Sequence, residues 1–210
     1  MRHLLPIIII VLYSCSTKKE VQPIQHLNPN QSKNAEPAIL YVLMNVKKMD
    51  PMERAMKRAS AYYSQPYVVE HAPLPQNAFH PKRKRCIGDS LIKYLHAINN
   101  GRYTFVAGLT DMDLCTNKNG VEDWGIFGLG SLSNNGCITS GKRLNKNVSN
   151  KQYEDRLTKV ILHEIGHNHG VNHCVTPEPC FMKDAKGKIS TVDNEPLHMC
   201  QSCKQIAGIK

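Results

Sequence analysis

Apolar residues follow two alternating patterns from Ala38 onward. Short apolar runs rich in β-branched and aromatic residues predict strands, and apolar positions spaced by three and four residues predict helices. The predicted strands are residues 39–44, 67–69, 103–108 and 125–130. The predicted helices begin at Asp50, at Asp89 and near Tyr153, and the last of them ends at His169. This alternation predicts one α/β domain in which helices pack on a mixed, twisted sheet.

The first two predicted helices have recognisable ends. Pro51 follows Asp50, at a position where a helix does not need the missing amide proton. Asp89 is a predicted N-cap, and residues 99–101 (Asn-Asn-Gly) predict the end of the same helix. Both helices therefore have a defined start, and each carries one apolar face. The apolar positions are Met52, Ala55, Met56 and Ala59 in the first helix, and Leu91, Ile92, Leu95 and Ile98 in the second.

The N-terminal segment has the order of charge and hydrophobicity that is typical of a secretory signal. Arg2 precedes an apolar run over residues 4–12 that is too short to span a bilayer as a helix. The run ends in Leu-Tyr-Ser-Cys, which resembles a bacterial lipobox whose cysteine becomes the acylated first residue. We therefore predict a signal peptide over residues 1–14, a lipidated Cys15, and an exported protein anchored to a bacterial membrane on its periplasmic or cell-surface side. The alternative interpretation is a buried N-terminal strand.

Residues 15–37 and residues 38–210 differ in composition. After Cys15 the chain has three prolines, many Asn, Gln, Ser and Lys residues, and few large apolar ones. Such a composition predicts a flexible tether, because too little apolar surface is available to bury. We assign residues 38–210 to a single folded domain.

Length and charge narrow the functional classes. With 210 residues the chain is too short for two full domains. It has 27 Lys and Arg residues against 17 Asp and Glu residues, a net charge of +10. The basic run Lys-Arg-Lys-Arg at residues 82–85 has no interleaved aromatic residue, so we interpret it as a solvated loop and expect no nucleic-acid partner.

Residues 163–173 carry the pattern HExxHxxGxxH. His163 and His167 are four residues apart, so on a helix both can reach one metal ion. Glu164 lies one residue around the helix, where it can face a water molecule without ligating the metal. Gly170 can adopt the left-handed conformation that ends the helix and returns His173 as a third ligand. Three protein ligands leave the fourth position of a tetrahedral zinc open, as in catalytic zinc sites.

A cysteine pattern follows directly. The chain has eight cysteines, and four of them lie after the histidines: Cys174, Cys180, Cys200 and Cys203. Four thiolates that include a CxxC pair suit a closed, structural zinc site, which would stabilise a loop-rich C-terminus. Two disulfides are the alternative, because an exported protein meets an oxidising compartment.

The order HExxHxxGxxHC, CxM and CxxC resembles the archaemetzincin family, a branch of the metzincin-type zinc peptidases. Residues 108–114 (GLTDMDL) are similar to the G-x-T-x-x-D-L stretch of that family. The resemblance implies a zincin-like fold and two zinc ions. His163, His167 and His173 would hold a catalytic zinc, Glu164 would be the general base, and Met182 would lie in the turn beneath the metal. The same four cysteines would hold the structural zinc.

The expected function is therefore zinc-dependent hydrolysis of a peptide or protein substrate by a monomer. One alternative is a non-catalytic zinc-binding scaffold or metal-handling lipoprotein, and another is an aminopeptidase acting on short peptides.

Four residues near these motifs have no assigned metal role. His169 lies two residues beyond His167, on another side of the helix, so we expect it to face solvent or to support the site without ligating the metal. Cys86, Cys115 and Cys137 can form at most one disulfide, of which Cys115–Cys137 is one possibility.

Overall fold

The computed structural model describes residues 35–209. The predicted signal peptide and the predicted lipidation at Cys15 lie outside the described residues. The strands, in chain order, are β1 (Glu36–Met44), β2 (Tyr67–His71), β3 (Cys86–Ile87), β4 (Tyr103–Thr110), β5 (Leu114–Lys118), β6 (Val121–Ile126), β7 (Gly128–Gly130) and β8 (Gly136–Ser140). The helices are α1 (Met49–Tyr62), α2 (Gly88–Asn99), α3 (Asn150–Asn168), α4 (Ile189–Asn194) and α5 (Gln201–Ala207). Between residues 35 and 209, no helix has the length and hydropathy needed to cross a bilayer.

The main sheet has five strands in the order β2-β1-β4-β8-β7. The first four are parallel, and β7 pairs antiparallel with β8 at one edge. The predicted mixed sheet with packed helices is thus confirmed.

Burial of β1 explains why its sequence is continuously apolar. Its residues alternate between two cores: Ile39 and Tyr41 contribute to the core that includes α1 and α3, whereas Leu40 and Val42 contribute to the core that includes α2. A parallel strand covered by helices on both faces has no solvent-facing side, so an alternating polar pattern is absent.

The prediction of one strand over residues 125–130 is wrong. The chain divides there: β6 belongs to a second, three-stranded sheet of order β3-β5-β6, and β7 joins the main sheet. β5 and β6 form an antiparallel hairpin. Val121 and Trp124 of β6 are more than one third exposed, so this strand lacks the buried apolar face from which strands are usually recognised.

Two expectations about the helices also need correction. α2 begins at Gly88, and Asp89 is not its N-cap: the Asp89 carboxylate lies in the first turn and accepts a hydrogen bond from the Thr116 hydroxyl at 2.8 Å. Asn100 in the left-handed conformation ends this helix, as predicted. The helix at residues 150–168 is not the last one, because the short α4 and α5 follow it.

The three remaining cysteines are separate buried thiols. Cys137 lies in the core on the α1–α3 face of the main sheet, and Cys86 lies in the core next to α2. Cys115 is buried on β5 of the second sheet. The possible disulfide between Cys115 and Cys137 is therefore absent, and both residues have free thiols.

Candidate metal centres and active-site cleft

Helix α3 carries the first part of the site. Ser149 caps it by accepting a hydrogen bond from the Gln152 amide at 3.2 Å, and the helix begins three residues before the predicted start. Leu157, Ile161 and Ile165 are buried in the core along one face. This packing fixes the rotation of the helix, and hence the direction of its histidines.

The three predicted histidine ligands converge. The Nε2 atoms of His163 and His167 are 3.0 Å apart, and the ligand atoms of His163, His167 and His173 all lie within 4.8 Å of one another. Two nitrogen ligands of a tetrahedral zinc are about 3.3 Å apart when each zinc–nitrogen bond is about 2.0–2.1 Å. The donor set therefore fits a zinc ion.

The backbone orients two of these rings. His163 Nδ1 lies 2.7 Å from the Phe181 carbonyl oxygen, and His167 Nδ1 lies 2.7 Å from the Val171 carbonyl oxygen. A proton on each Nδ1 satisfies these carbonyls and leaves the Nε2 lone pairs free for a metal. Burial lowers the pKa of His163 to about 3 and also lowers the pKa of His167, so both rings are neutral near pH 7, as metal ligation requires.

Gly170 makes the predicted turn. Its φ of 80° is in the left-handed region, and nothing would contact a side chain there, so the constraint is conformational. The Val171 amide donates to the Gly166 carbonyl at 3.1 Å and closes the helix end. The turn brings His173 back to the helical histidines, where its side chain stays 46% exposed and faces the cleft.

Glu164 is buried beside the triad, against β7. Burial raises the pKa of this carboxyl to about 8, while a hydrogen bond from the Gly130 amide opposes the increase. A divalent cation on the neighbouring histidines would also act against the effect of burial and lower the pKa of Glu164, because an opposite charge favours the carboxylate. Glu164 lines the same cleft as the three histidines, so it can reach a water molecule there.

Two glycines of β7 allow this close packing. A Cβ atom on Gly128 would lie 2.5 Å from Glu164 Oε1, and one on Gly130 would lie 2.5 Å from the Glu164 carbonyl oxygen. The glycines that interrupt the apolar pattern at residues 125–130 are therefore explained in part by contact with the active-site helix.

We expect Gly130→Ala to displace α3 from β7. The new methyl group would meet backbone atoms, so the free energy of unfolding should fall by about 1–3 kcal/mol. A shift of Glu164 by a fraction of an ångström should lower kcat/KM by about ten-fold or more. Thermal unfolding and peptide cleavage would measure both effects.

Gly88→Ala is the matched control: its Cβ would meet only the movable Leu129 and Ile126 side chains, at 3.0 Å or more. Equal effects of the two substitutions would contradict this role of Gly130.

Met182 lies under the active-site helix, as the family resemblance implies. A Cβ atom on Gly166 would lie 2.5 Å from the Met182 sulfur, which places this methionine below the turn between His163 and His167. The Cys174 amide donates to the Met182 carbonyl at 2.8 Å. The turn at Met182 thus connects the floor of the histidine site to the cysteine cluster.

The four predicted cysteine ligands also converge. The ligand atoms of Cys174, Cys180, Cys200 and Cys203 lie within 4.8 Å of one another, and the Cys174 and Cys200 sulfurs are 3.7 Å apart. Sulfur ligands of a tetrahedral zinc are about 3.8 Å apart when each zinc–sulfur bond is about 2.3 Å. All four are free thiols, so the alternative of two disulfides is wrong. The cluster fits a closed, structural zinc.

Local hydrogen bonds favour one thiolate in this cluster. Burial raises the pKa of the Cys200 thiol, but hydrogen bonds from the Cys203 amide, from the Thr176 hydroxyl and from the neighbouring thiols lower it to about 7. Burial raises the pKa of Cys180 and Cys203. A metal ion is therefore needed to hold all four residues as thiolates.

His169 is not a metal ligand, as expected, but it does not face solvent. Its ring stacks on Tyr63, with centroids 4.8 Å apart and planes 7° apart, and contacts Phe105 at 4.7 Å. The residue packs the end of α3 against the core.

Asn168 is a supporting residue that the sequence analysis missed. Its side-chain amide nitrogen donates to the carbonyl oxygens of Ser131, Asn134 and Gly136, at 2.9, 3.2 and 2.9 Å. These bonds attach the β7–β8 turn to the end of α3. These hydrogen bonds could not be predicted, because the sequence does not distinguish an asparagine that is buried and bonded from one that is exposed.

A cleft of about 320 Å³ opens over the histidines. Hairpin β5–β6 lines one part of it with Thr116 and Trp124, and the segment over residues 183–195 lines another with Thr191 and Val192. These two parts are about seventy residues apart in sequence, and no sequence motif marks either of them.

The segment over residues 183–195 is attached to α3. The Arg156 guanidinium forms two hydrogen bonds with the Asp193 carboxylate, both at 2.7 Å. Lys159 donates to the carbonyl oxygens of Val192 and Asp193, at 2.7 and 2.9 Å. This side of the cleft is therefore positioned by the helix that carries the catalytic histidines.

The fold and the two ligand clusters together define a zinc-dependent metallopeptidase. The model of the family described as peptidase family M54 matches residues 76–207, which include every predicted zinc ligand. The chain therefore belongs to peptidase family M54, the archaemetzincins.

Curated relatives and solved structures agree with this assignment. The chain is 28% identical over 147 residues to an archaemetzincin of Haloquadratum walsbyi, an alignment that covers 66% of this chain and 80% of the relative. The crystal structure of an archaemetzincin from Methanopyrus kandleri has a similar fold, with a TM-score of 0.68 and 24% identity over 81% of this chain and 93% of that chain. A zinc-dependent peptidase structure from Methanocorpusculum labreanum gives a TM-score of 0.62 and 19% identity, over 80% of this chain and 99% of that one.

Proposed function

We propose that this metallopeptidase hydrolyses bonds within peptide or protein substrates, with Glu164 as the general base. The observation that carries the proposal is a buried carboxylate in the same cleft as three convergent imidazoles. Membership of a peptidase family supports a peptide substrate.

The ligand assignments follow from the donor sets. We propose that His163, His167 and His173 hold the catalytic zinc, and that Cys174, Cys180, Cys200 and Cys203 hold the structural zinc. When bound at the histidines, zinc supplies a Lewis acid that polarises the scissile carbonyl and makes the attacking water more acidic.

Residues of the site transfer the proton and hold the histidine ligands in position. Glu164 takes a proton from the attacking water and delivers it to the nitrogen of the leaving amine. The carbonyls of Phe181 and Val171 hold the His163 and His167 rings in one orientation throughout. Met182 supports the helix from below, and the cysteine site positions His173 through the adjoining Cys174.

An edge strand offers a place for the substrate backbone. β7 forms one edge of the main sheet and lines the cleft with Leu129 and Gly130. An extended peptide can add to such an edge by main-chain hydrogen bonds. Backbone pairing of this kind favours cleavage within a longer peptide.

The test is the cleavage of a broad peptide mixture by the zinc-loaded protein, analysed by mass spectrometry. We expect internal cleavage that is abolished by a chelator and restored by zinc. Removal of single N-terminal residues alone would show an aminopeptidase. No cleavage by protein with both metals bound would support the non-catalytic scaffold and contradict the proposal.

We further propose that the protein is an exported, monomeric lipoprotein anchored through Cys15. The support for export and anchoring is the order of charge, apolar run and lipobox-like sequence over residues 1–15, and the monomeric state stays a prediction. The domain boundary at residue 38 stays a prediction, and β1 begins two residues earlier, at Glu36.

We expect Cys15→Ser to move the protein from the membrane fraction to the soluble fraction of the exporting cell. Acylation needs the cysteine thiol, and no other anchor is part of the proposal. Fractionation with immunoblotting and labelling with a fatty-acid analogue would detect the change, and Ser14→Ala is the control because it keeps Cys15. Unchanged membrane association of the Cys15→Ser protein would contradict the lipid anchor.

A further inference from the structure

The cleft over the histidine triad contains more cations than carboxylates. Its lysines are Lys118, Lys159, Lys183 and Lys186. Apart from Glu164, its carboxylates are Asp184 and Glu195. The protein part of the cleft is therefore positive even before the charge of a metal is added.

Both of these carboxylates already have partners within the protein. Asp184 lies 3.7 Å from the Lys118 ammonium, and its carboxylate accepts a hydrogen bond from the Lys186 backbone amide at 2.8 Å. Glu195 accepts a hydrogen bond from the Cys180 amide at 3.1 Å. Neither carboxylate needs a cation from a substrate.

Two of the four cleft lysines have no such partner. Within residues 35–209, Lys118 pairs with Asp184 and the Lys159 ammonium donates to two backbone carbonyl oxygens, whereas Lys183 and Lys186 form no ion pair. Lys183 directly follows Met182 in the sequence, and both lysines line the cleft that contains the three histidines. These two lysines are the positive charges that remain for a substrate.

A second basic depression adjoins the cleft. Phe127 and Gly187 line both, so the two are neighbours. The second depression carries Lys142, Arg143 and Lys146. The positive surface therefore extends beyond the catalytic cleft in one direction.

The carboxylate in this second depression is paired with two arginines. Asp113 accepts hydrogen bonds from Arg143 Nε at 2.6 Å and from Arg85 Nε at 2.9 Å, and these arginines lower its pKa against the effect of burial. Lys142 and Lys146 are exposed, and neither forms an ion pair within the described residues.

We propose that this site selects acidic peptides, with glutamate or aspartate side chains near the scissile bond that pair with Lys183 and Lys186. The inference rests on the proposed function and identifies its substrate class. Positive charge inside a cleft attracts carboxylates more strongly than the same charge on a convex surface, because low-dielectric walls focus the field. A longer acidic segment would continue toward Lys142 and Lys146.

The observations favour a peptide over a nucleic acid. The edge strand β7 offers main-chain hydrogen bonds to an extended peptide, whereas Asp184 and Glu195 would repel a continuous row of phosphates. A peptide can place its carboxylates next to the lysines and its neutral side chains next to the acidic groups.

The experiment measures binding, so that it is independent of turnover. Zinc-loaded Glu164→Gln protein would be titrated with two labelled peptides of the same length and apolar residues, one with glutamate and one with lysine at the flanking positions. We expect the glutamate peptide to bind about ten-fold more tightly by fluorescence anisotropy at low salt, and the difference to shrink near 1 M salt, where screening is strong.

A double substitution tests the named residues. Lys183→Gln with Lys186→Gln should weaken binding of the glutamate peptide about five-fold and should not weaken binding of the lysine peptide. The control is Lys57→Gln with Lys93→Gln on α1 and α2, which removes the same charge outside both depressions. Zinc content and circular dichroism would show that each variant is folded.

Three results would overturn the proposal: equal affinity for the two peptides, equal loss of affinity in the cleft variant and its control, or tighter binding of a single-stranded oligonucleotide than of the glutamate peptide. The last would show a general polyanion site. Failure of the proposed function is a different result, namely the absence of any peptide cleavage by zinc-loaded wild-type protein.

Discussion

Glu164→Gln is expected to lower kcat/KM for peptide cleavage by about 10²–10⁴-fold while both zinc ions stay bound. The amide of glutamine has nearly the shape of the carboxylate, so the packing against Gly128 and Gly130 is retained. It cannot accept a proton from the attacking water. The loss should therefore appear in kcat, with little change in thermal unfolding.

Peptide cleavage and zinc analysis on the same preparation would test this expectation. Glu53→Gln on the exposed side of α1 is the control for removal of one carboxylate, and it should have wild-type activity. If the Glu164→Gln protein kept its activity with zinc bound, another group would be the base and the assignment of Glu164 would be wrong.

Cys200→Ser is expected to have the largest effect on stability, lowering the free energy of unfolding by more than about 4 kcal/mol. The cysteine cluster joins the turn after His173, the turn at Met182 and the start of α5, none of which has a long regular element to hold it. Without the fourth thiolate the metal site loses affinity, and the binding energy that stabilises these turns is lost with it.

Urea unfolding in the presence of zinc would measure this loss. Cys86→Ala, at a buried thiol outside the cluster, should cost only about 1 kcal/mol and serves as the control. Activity should fall together with stability, because Cys174 adjoins the ligand His173. Equal stability losses in the two variants would contradict a structural metal site.

The catalytic helix and its ligands were predictable because their spacing reflects simple geometry. Residues four apart on a helix share a face, which places His163 and His167 together. Gly170 needs its left-handed conformation, and its φ of 80° agrees. The cysteine ligands were predictable from their number and the CxxC pair, although the choice between metal and disulfides needed the positions of the sulfur atoms.

The main sheet was predictable where burial on both faces produces continuous apolar runs, as in β1 and β4. Hairpin β5–β6 was not, because β6 is largely exposed and both strands mix charged, polar and apolar residues. The short α4 and α5 were missed for a related reason: α4 is attached mainly through Arg156 and Asp193, and α5 is attached through the cysteines, so neither needs a long apolar stripe.

The cleft could not be predicted from the sequence. Its sides come from hairpin β5–β6 and from residues 183–195, and their meeting depends on tertiary contacts such as the Lys118–Asp184 ion pair. A sequence pattern identifies ligands that lie close together in the chain, but it contains no signal for side chains brought together by the packing of separate segments.

Metal content is the measurement that tests the two-zinc account most directly. Purified, folded protein should contain two zinc ions per chain, the Cys200→Ser protein one, and a protein with both His163→Ala and His167→Ala also one. The histidine variant should lose all activity but keep most of its stability, because only its catalytic metal is missing. One zinc per wild-type chain, or an unchanged content after Cys200→Ser with disulfides among the four cysteines, would contradict the account.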